Sequence, residues 1–525
     1  MCIRDRYGAA LSSAAKYGNL ETVKALIEHQ VASGIEVQNM GGFSGALFMA
    51  AKEGRVEVAK YLTQWNGPGH VPDDQKSLPL WASLASGEPS ITRSILDSGA
   101  SIDPFPFPGF QPGFFAGYSE VDDPSIVQML LDEGLDVKNN PSGALGLWVA
   151  ERAGNTRMAA ALREAGASLS AMPSSPKNKK LPDNGIPLSD VANPERLRGL
   201  IKKSVGLMLN SSDVFLKNRN SCTSCHHQDM PAIAANVALT RGIKVPLDSL
   251  ERLHRAQERN IAQSIDELYE GTSGAIYTSA FMLWEHSVAG KPADALTKAM
   301  VRFLAGVQHA DGHWDNDLSR TPMQYGHHIV TALAIRAFQT YPLAGREAEM
   351  ATRIDRALNF LRRNPAYNHT DEVFTLMGLV WGNAPTNEVQ ATAASIQSRQ
   401  RDDGGWAQRA NMKSDAWATG IALYALHTAG VKTSDQVYRR GMQYLLNTQF
   451  DDGSWYVQSR TLAIQPHFDS KFPHGKDQWI SRAATAFATA SLGLALEPRP
   501  VDTATLLVGL GDLKSSLLPK PETPE

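Results

Sequence analysis

Cysteine is nearly absent from this chain of 525 residues: only Cys2, Cys222 and Cys225 occur. Three cannot build a disulfide framework, so the fold cannot depend on one. A lopsided charge is lacking too. Fifty-one basic side chains face 54 acidic ones, for a net −3, and a dedicated nucleic-acid binder would show a basic excess. No run of 18 uninterrupted apolar residues occurs, so no membrane-spanning helix is expected. What is present, 42% hydrophobic and 20% charged residues, is ordinary globular composition with ample material for a core. The length suggests two unequal domains or three.

The first six residues, Met1–Arg6 (MCIRDR), lack the apolar run of a signal peptide. They read as a translated adapter remnant ahead of a truncated frame, or as a frayed natural terminus. On the first reading the true start is missing, and the absent leader says nothing about compartment.

Two internal repeats organise the rest. Ala14–Leu26 and Ala50–Leu62 share the pattern A-A-K-x-G-x-φ-E-x-V-x-x-L, where φ is apolar. Weaker copies follow around Gly87, Val121 and Gly154, at a glycine spacing near 33–36 residues. Each glycine permits a tight turn between antiparallel helices. The Val and Leu positions give each helix pair a face that stacks on the next. The segment over residues 8–170 resembles the ankyrin repeat, without its T-P-L-H signature and with a distorted stretch at 105–120. The resemblance implies a solenoid that binds a protein partner or caps its neighbour. Residues 171–192, rich in Pro, Ser, Lys and Asn, read as a linker.

From 193 to 498 a different helical repeat is expected, and 499–525 reads as a tail. Its marker is Q-x-x-D-G-x-W, at Gln308–Trp314, Gln400–Trp406 and Gln449–Trp455. Each copy follows an amphipathic helix and precedes a helix of small residues. Two more pairs precede the first copy and a degenerate pair fills the gap, making six. The loop resembles the QW motif of squalene–hopene cyclases and related terpenoid cyclases. That implies an all-α protein, an ankyrin-like solenoid followed by an (α/α)6 toroid. In such loops Trp packs on a helix start while Gln and Asp bond free backbone groups, so the motif speaks for fold and not activity.

The connection inside the first pair has no such motif. It reads Cys222-Thr223-Ser224-Cys225-His226-His227. Cys-x-x-Cys-His is the attachment signature of c-type haem: two thiols add to the vinyl groups and the adjacent His226 becomes the proximal iron ligand. A zinc site, which needs a fourth ligand, and a plain structural loop are the alternatives; a thioredoxin-like site would need a βαβ context that is absent. His474 or Met230 is the candidate distal ligand. His327, His328 and His467 are further possibilities, as is five-coordinate iron. Haem c attachment implies a periplasmic or otherwise exported protein with an unknown redox partner.

The D-x-D-D acid of class II terpenoid cyclases is missing. So are the cysteine ligand of the zinc-dependent prenyltransferases and the G-C-G-E-Q thioester. The nearest candidate acid is Asp415. With Asp477, also a candidate catalytic carboxylate, and with His474 and Trp479 from a long polar loop, it is expected to line the mouth of the toroid. The functional expectations are an exported haem c protein in electron transfer or small-molecule redox work, a cyclase-like enzyme with a replaced acid, or a non-catalytic interaction scaffold.

Overall fold

The structure is a computed structural model that describes residues 3–34, 42–102, 121–139, 141–171, 179–219, 222–265, 268, 274–316, 320–324, 326–366, 368–461 and 467–510. The distorted repeat at 105–120 and the end of the tail lie outside them. The chain forms two compact units, Met1–Lys177 and Asn178–Glu525. Among the described residues both are helical, with only isolated bridges and no strand. No helix among them is long and apolar enough to cross a membrane.

The first unit stacks antiparallel helix pairs: α1 (Ile3–Lys16) with α2 (Leu20–Ala32), α3 (Phe43–Lys52) with α4 (Val56–Gln64), and α5 (Ser77–Ser86) with α6 (Pro89–Asp97). α7 (Pro124–Asp132) is followed by the pair α8 (Pro141–Ala153) and α9 (Thr156–Glu164). The repeated turn has one geometry. Gly18, Gly54 and Gly154 take φ of 71, 65 and 75°. The residue after each returns its N–H to a carbonyl five positions back, as Arg55 does to Ala50 at 2.8 Å. An L side chain is strained at that φ, which explains the fixed glycine. α1 contacts α3 and α3 contacts α5, while α4 contacts α6, so each pair buries its apolar face on the next. α1 begins at Ile3, so Ile3–Arg6 are part of the first helix.

Among its described residues the second unit shows six pairs. The outer members are α10 (Pro194–Asn218), α12 (Leu247–Gln263), α14 (Ala295–Gly306), α16 (Glu347–Arg363), α18 (Thr386–Ser398) and α20 (Gln436–Thr448). The inner members are α11 (Asp229–Leu239), α13 (Ala275–Ala289), α15 (His328–Thr340), α17 (His369–Trp381), α19 (Ala416–Thr428) and α21 (Gln478–Leu494). Each inner helix contacts the next, and α21 contacts α11, so the contacts run in a closed cycle. The inner helices are buried nearly all round. Small residues such as Gly420, where a Cβ would meet the α21 backbone at 2.8 Å, let them approach.

The three Q-x-x-D-G-x-W loops fasten neighbouring pairs. Trp314, Trp406 and Trp455 are fully buried. Each indole N–H donates to the carbonyl ten residues earlier, at 2.7, 2.8 and 2.8 Å. Each Trp backbone N–H donates to an inner-helix threonine, Thr331, Thr419 or Thr485. Gln308 and Gln400 donate to Arg353 and Val437 carbonyls on the next outer helix. Gln449 donates instead to Ser204 Oγ of α10 at 3.0 Å, so the third loop joins the last pair to the first.

Part of the expected linker belongs to this ring. Asn184 donates its side-chain amide to the Leu446 and Gln449 carbonyls, and Arg439 and Gln443 of α20 donate to the Leu188 and Ile186 carbonyls. Val191 is fully buried. The start of the expected tail packs as well: Arg499 N–H donates to the Thr240 carbonyl, and His254 Nδ1 lies 2.7 Å from the Val508 carbonyl. Both segments lack periodicity because they bind through backbone groups, which a hydrophobic pattern does not reveal.

Candidate functional site

In every pair the chain runs outer helix, loop, inner helix, so these loops and the starts of the inner helices gather at one end of the ring. The Cys222–Gln228 loop is the first of them. Cys222 is exposed and Cys225 is buried. Burial, reinforced by the Asp229 charge, pushes the Cys225 thiol up to about 12. His226 and His227 are buried, and burial holds both well below the usual histidine range, with Arg320 and Arg482 adding to the effect. His226 lies edge-on to Trp479 at 6.1 Å, and Arg320 lies 5.9 Å over the same indole. His227 stacks on Phe215 at 4.3 Å, and its Nδ1 lies 3.0 Å from Ser224 Oγ. Its Nε2 is buried with no hydrogen-bond partner. The buried Arg482 anchors the loop from α21, donating to Ser211 and Ser212 hydroxyls and to the His227 carbonyl.

Behind the loop lies a buried polar network that sequence reasoning missed. Asp229 accepts from Gln257, and burial beside Glu285 raises its carboxyl well above normal. Glu285 accepts from Asn236 at 3.0 Å and lies 3.0 Å from His254 Nε2. Burial opposes a charge on His254, but the Glu285 carboxylate outweighs it and lifts the imidazole. Lys291 pairs with Glu258 and Asp294 at 2.5 and 2.7 Å. These residues sit on four separate segments, and only the folded ring brings them together.

Of the sequence-predicted residues, Cys225, His226 and Trp479 come together. Met230 is fully buried in the first turn of α11. His474 sits on the third loop, with Nε2 2.8 Å from Ser454 Oγ and Nδ1 2.9 Å from Lys179 Nζ. His467 lies 3.3 Å from Gln478 Nε2. His328 Nε2 lies 3.1 Å from the Asn364 carbonyl, and His327 stands beside the first loop. Asp415 is the N-cap of α19, accepting from Ala418 N–H at 2.9 Å and from Gln408 at 3.0 Å. Burial pushes its carboxyl up to about 6. Asp477 accepts from the Tyr456 hydroxyl and the Ser459 N–H, both at 3.0 Å. Asp415 and Asp477 thus stand at the loop end of the ring, each with a capping or bracing task. Arg320 and Arg482 had no signal in the sequence, since an isolated arginine carries no pattern.

Residues 11–105 match the family model for ankyrin repeats (3 copies), and the first unit is an ankyrin-repeat array there. A search of curated proteins gives no match. A solved structure titled "Crystal structure of a protein from Actinoplanes" is similar at 19% identity with a TM-score of 0.35, over 55% of this chain and 98% of its own.

Proposed function

We propose that the ring unit carries a covalently attached haem at Cys222, Cys225 and His226, and that the ankyrin array binds a protein partner. The observation that carries the haem reading is the Cys222-x-x-Cys225-His226 spacing itself, set on the connection between α10 and α11 with Cys222 exposed and Cys225 and His226 buried. Two thiols and an adjacent imidazole at this spacing are the pattern that covalent haem attachment requires. The partnerless Nε2 of His227 also marks a place where a further group is expected.

Haem bound there would supply one-electron chemistry at iron. Trp479 beside His226 and Phe468 beside His227 would offer it apolar walls, Arg320 would supply positive charge for its carboxylates, and Arg482 would hold the loop through the His227 carbonyl. Attachment of this kind implies the periplasm or another exported location. The test is expression of the full chain with a haem-maturation system, followed by an alkaline pyridine spectrum. Covalent haem in the native chain, lost in Cys222→Ala and Cys225→Ala, is expected. A colourless protein from a maturation-competent host overturns the reading.

One observation favours a cyclase-type acid at Asp415: a carboxyl raised to about 6 retains part of its proton near neutrality. Its oxygens are already engaged by Ala418 and Gln408, so the haem reading stands first. Turnover of squalene or a prenyl diphosphate, abolished by Asp415→Ala, would reverse that order.

A further inference from the structure

The first fastening loop differs from its two counterparts in what it displays. At the residue after Gln, the residue before Trp and the residue after Trp it carries His309, His313 and Asp315. The second loop has Arg401, Gly405 and Ala407 there, and the third has Phe450, Ser454 and Tyr456. The backbone is the same in all three. His309, Arg401 and Phe450 N–H groups donate to the His313, Gly405 and Ser454 carbonyls at 2.9, 3.0 and 2.9 Å. Nothing in the fastening itself calls for two imidazoles and a carboxylate, so their presence in one copy needs another explanation.

We propose that His309, His313 and Asp315 form a binding site for a divalent first-row transition-metal ion. Each can offer one donor atom, and the three donors lie within 4.8 Å of one another. All three residues are buried. His309 Nε2 lies 2.8 Å from one Asp315 oxygen and His313 Nε2 3.4 Å from the other. A tetrahedron with bonds of about 2.0 Å has edges of about 3.3 Å, so the His313 separation already fits, and opening the direct His309–Asp315 pair by about half an ångström would seat one small ion among the three.

The supporting shell is in place. His313 Nδ1 lies 2.6 Å from Asp311 Oδ1. Nδ1 bearing the proton leaves Nε2 as the donor, and a carboxylate behind an imidazole is the usual outer partner of a metal-bound histidine. Asp311 belongs to the fastening motif, so the device that braces the backbone also orients the ligand. The loop is rigid at both ends: Trp314 is locked by Leu304 and Thr331, and Gln308 by Gly312 and Arg353. His327 stands next to the cluster, with Nδ1 3.9 Å from Asp315 and its ring centroid 4.6 Å from that of His313. Its Nδ1 accepts from the Asn316 N–H at 3.3 Å, so water would complete four-coordination. Two imidazoles with one carboxylate suit zinc or ferrous iron more than calcium or magnesium, which take all-oxygen sets.

This site is independent of the haem reading, and the test separates them. The full-length, untagged chain carrying Cys222→Ser and Cys225→Ser is freed of metal with a chelator and titrated with Co2+ and then Zn2+. One equivalent of Co2+ is expected, with visible d–d bands and no sulfur-to-cobalt charge transfer, displaced by one equivalent of Zn2+. His309→Gln and His313→Gln should each weaken binding at least 100-fold. Asp311→Asn, which touches no ion, should weaken it about tenfold by the usual cost of losing such an outer partner. It also serves if a histidine variant does not fold. Failure of the double-serine chain to bind one equivalent overturns the proposal. So does tight binding that persists in the folded His309→Gln and His313→Gln chains, or affinity unchanged in Asp311→Asn.

Discussion

The three Q-x-x-D-G-x-W loops share the bonds that hold them and few of the side chains they display. The first presents two imidazoles and a carboxylate. The second leans on Gln408, Asp415 and His369, and the third on His474 and Lys179. A fastener repeated around a ring fixes Trp, Gln, Asp and Gly, because those residues touch helices on both sides. It leaves the positions between them free, and chemistry accumulates in that freedom.

The shared part should fail alike in all three copies. Trp314→Ala, Trp406→Ala and Trp455→Ala should each lose about 3–5 kcal/mol in urea unfolding, since each indole is fully buried with the same donor bond. A copy that loses much less would break the equivalence.

The surroundings of the second loop should titrate in two directions. His369 is buried, its Nε2 lies 3.0 Å from the Ala418 carbonyl, and burial lowers it to about 4. Its folded value is below that of the unfolded chain. Its contribution is therefore complete above about 6.5 and is lost as pH falls toward 4, at about 1.4 kcal/mol per pH unit. Unfolding curves between pH 7 and 4.5 should show this slope reduced in His369→Gln.

The glycines should grade the fit of each loop. A Cβ at Gly312 would lie 2.1 Å from the Arg356 carbonyl oxygen, at Gly404 2.5 Å from that of Arg440, and at Gly453 3.1 Å from Ser204 N. Alanine should cost about 1–3 kcal/mol, in the order Gly312, Gly404, Gly453, read as shifts in melting temperature. Asp415 gives the smallest effect and the opposite sign to His369. Its folded value, raised to about 6, makes its contribution complete below about 4 and lost as pH rises through 6. Because the carboxyl is partly accessible, Asp415→Asn should flatten that slope by only about 1 kcal/mol.

The helical repeats were legible because period and punctuation are local. Alanine-rich runs, glycines at fixed offsets and the Trp-bearing loops identified both units. The Cys222–His226 spacing was equally plain. The cluster at His309, His313 and Asp315 was in full view, but the motif that contains it was read as structural. Arg320, Arg482 and the network from Asp229 to Lys291 were hidden for another reason: their meaning exists only once distant segments meet. Linker and tail misled because composition reports periodicity and is silent on backbone bonding.

Arg482 imposes an order of events on a chain made from its N-terminus. It belongs to the last inner helix, yet it clamps the cysteine loop of the first pair. The Ser204 partner of Gln449 likewise waits in α10 for a loop synthesised near the end. Until the ribosome has delivered α21, the Ser211 and Ser212 hydroxyls and the His227 carbonyl lack their Arg482 donor, so the first loop stays unclamped while the rest of the ring is made.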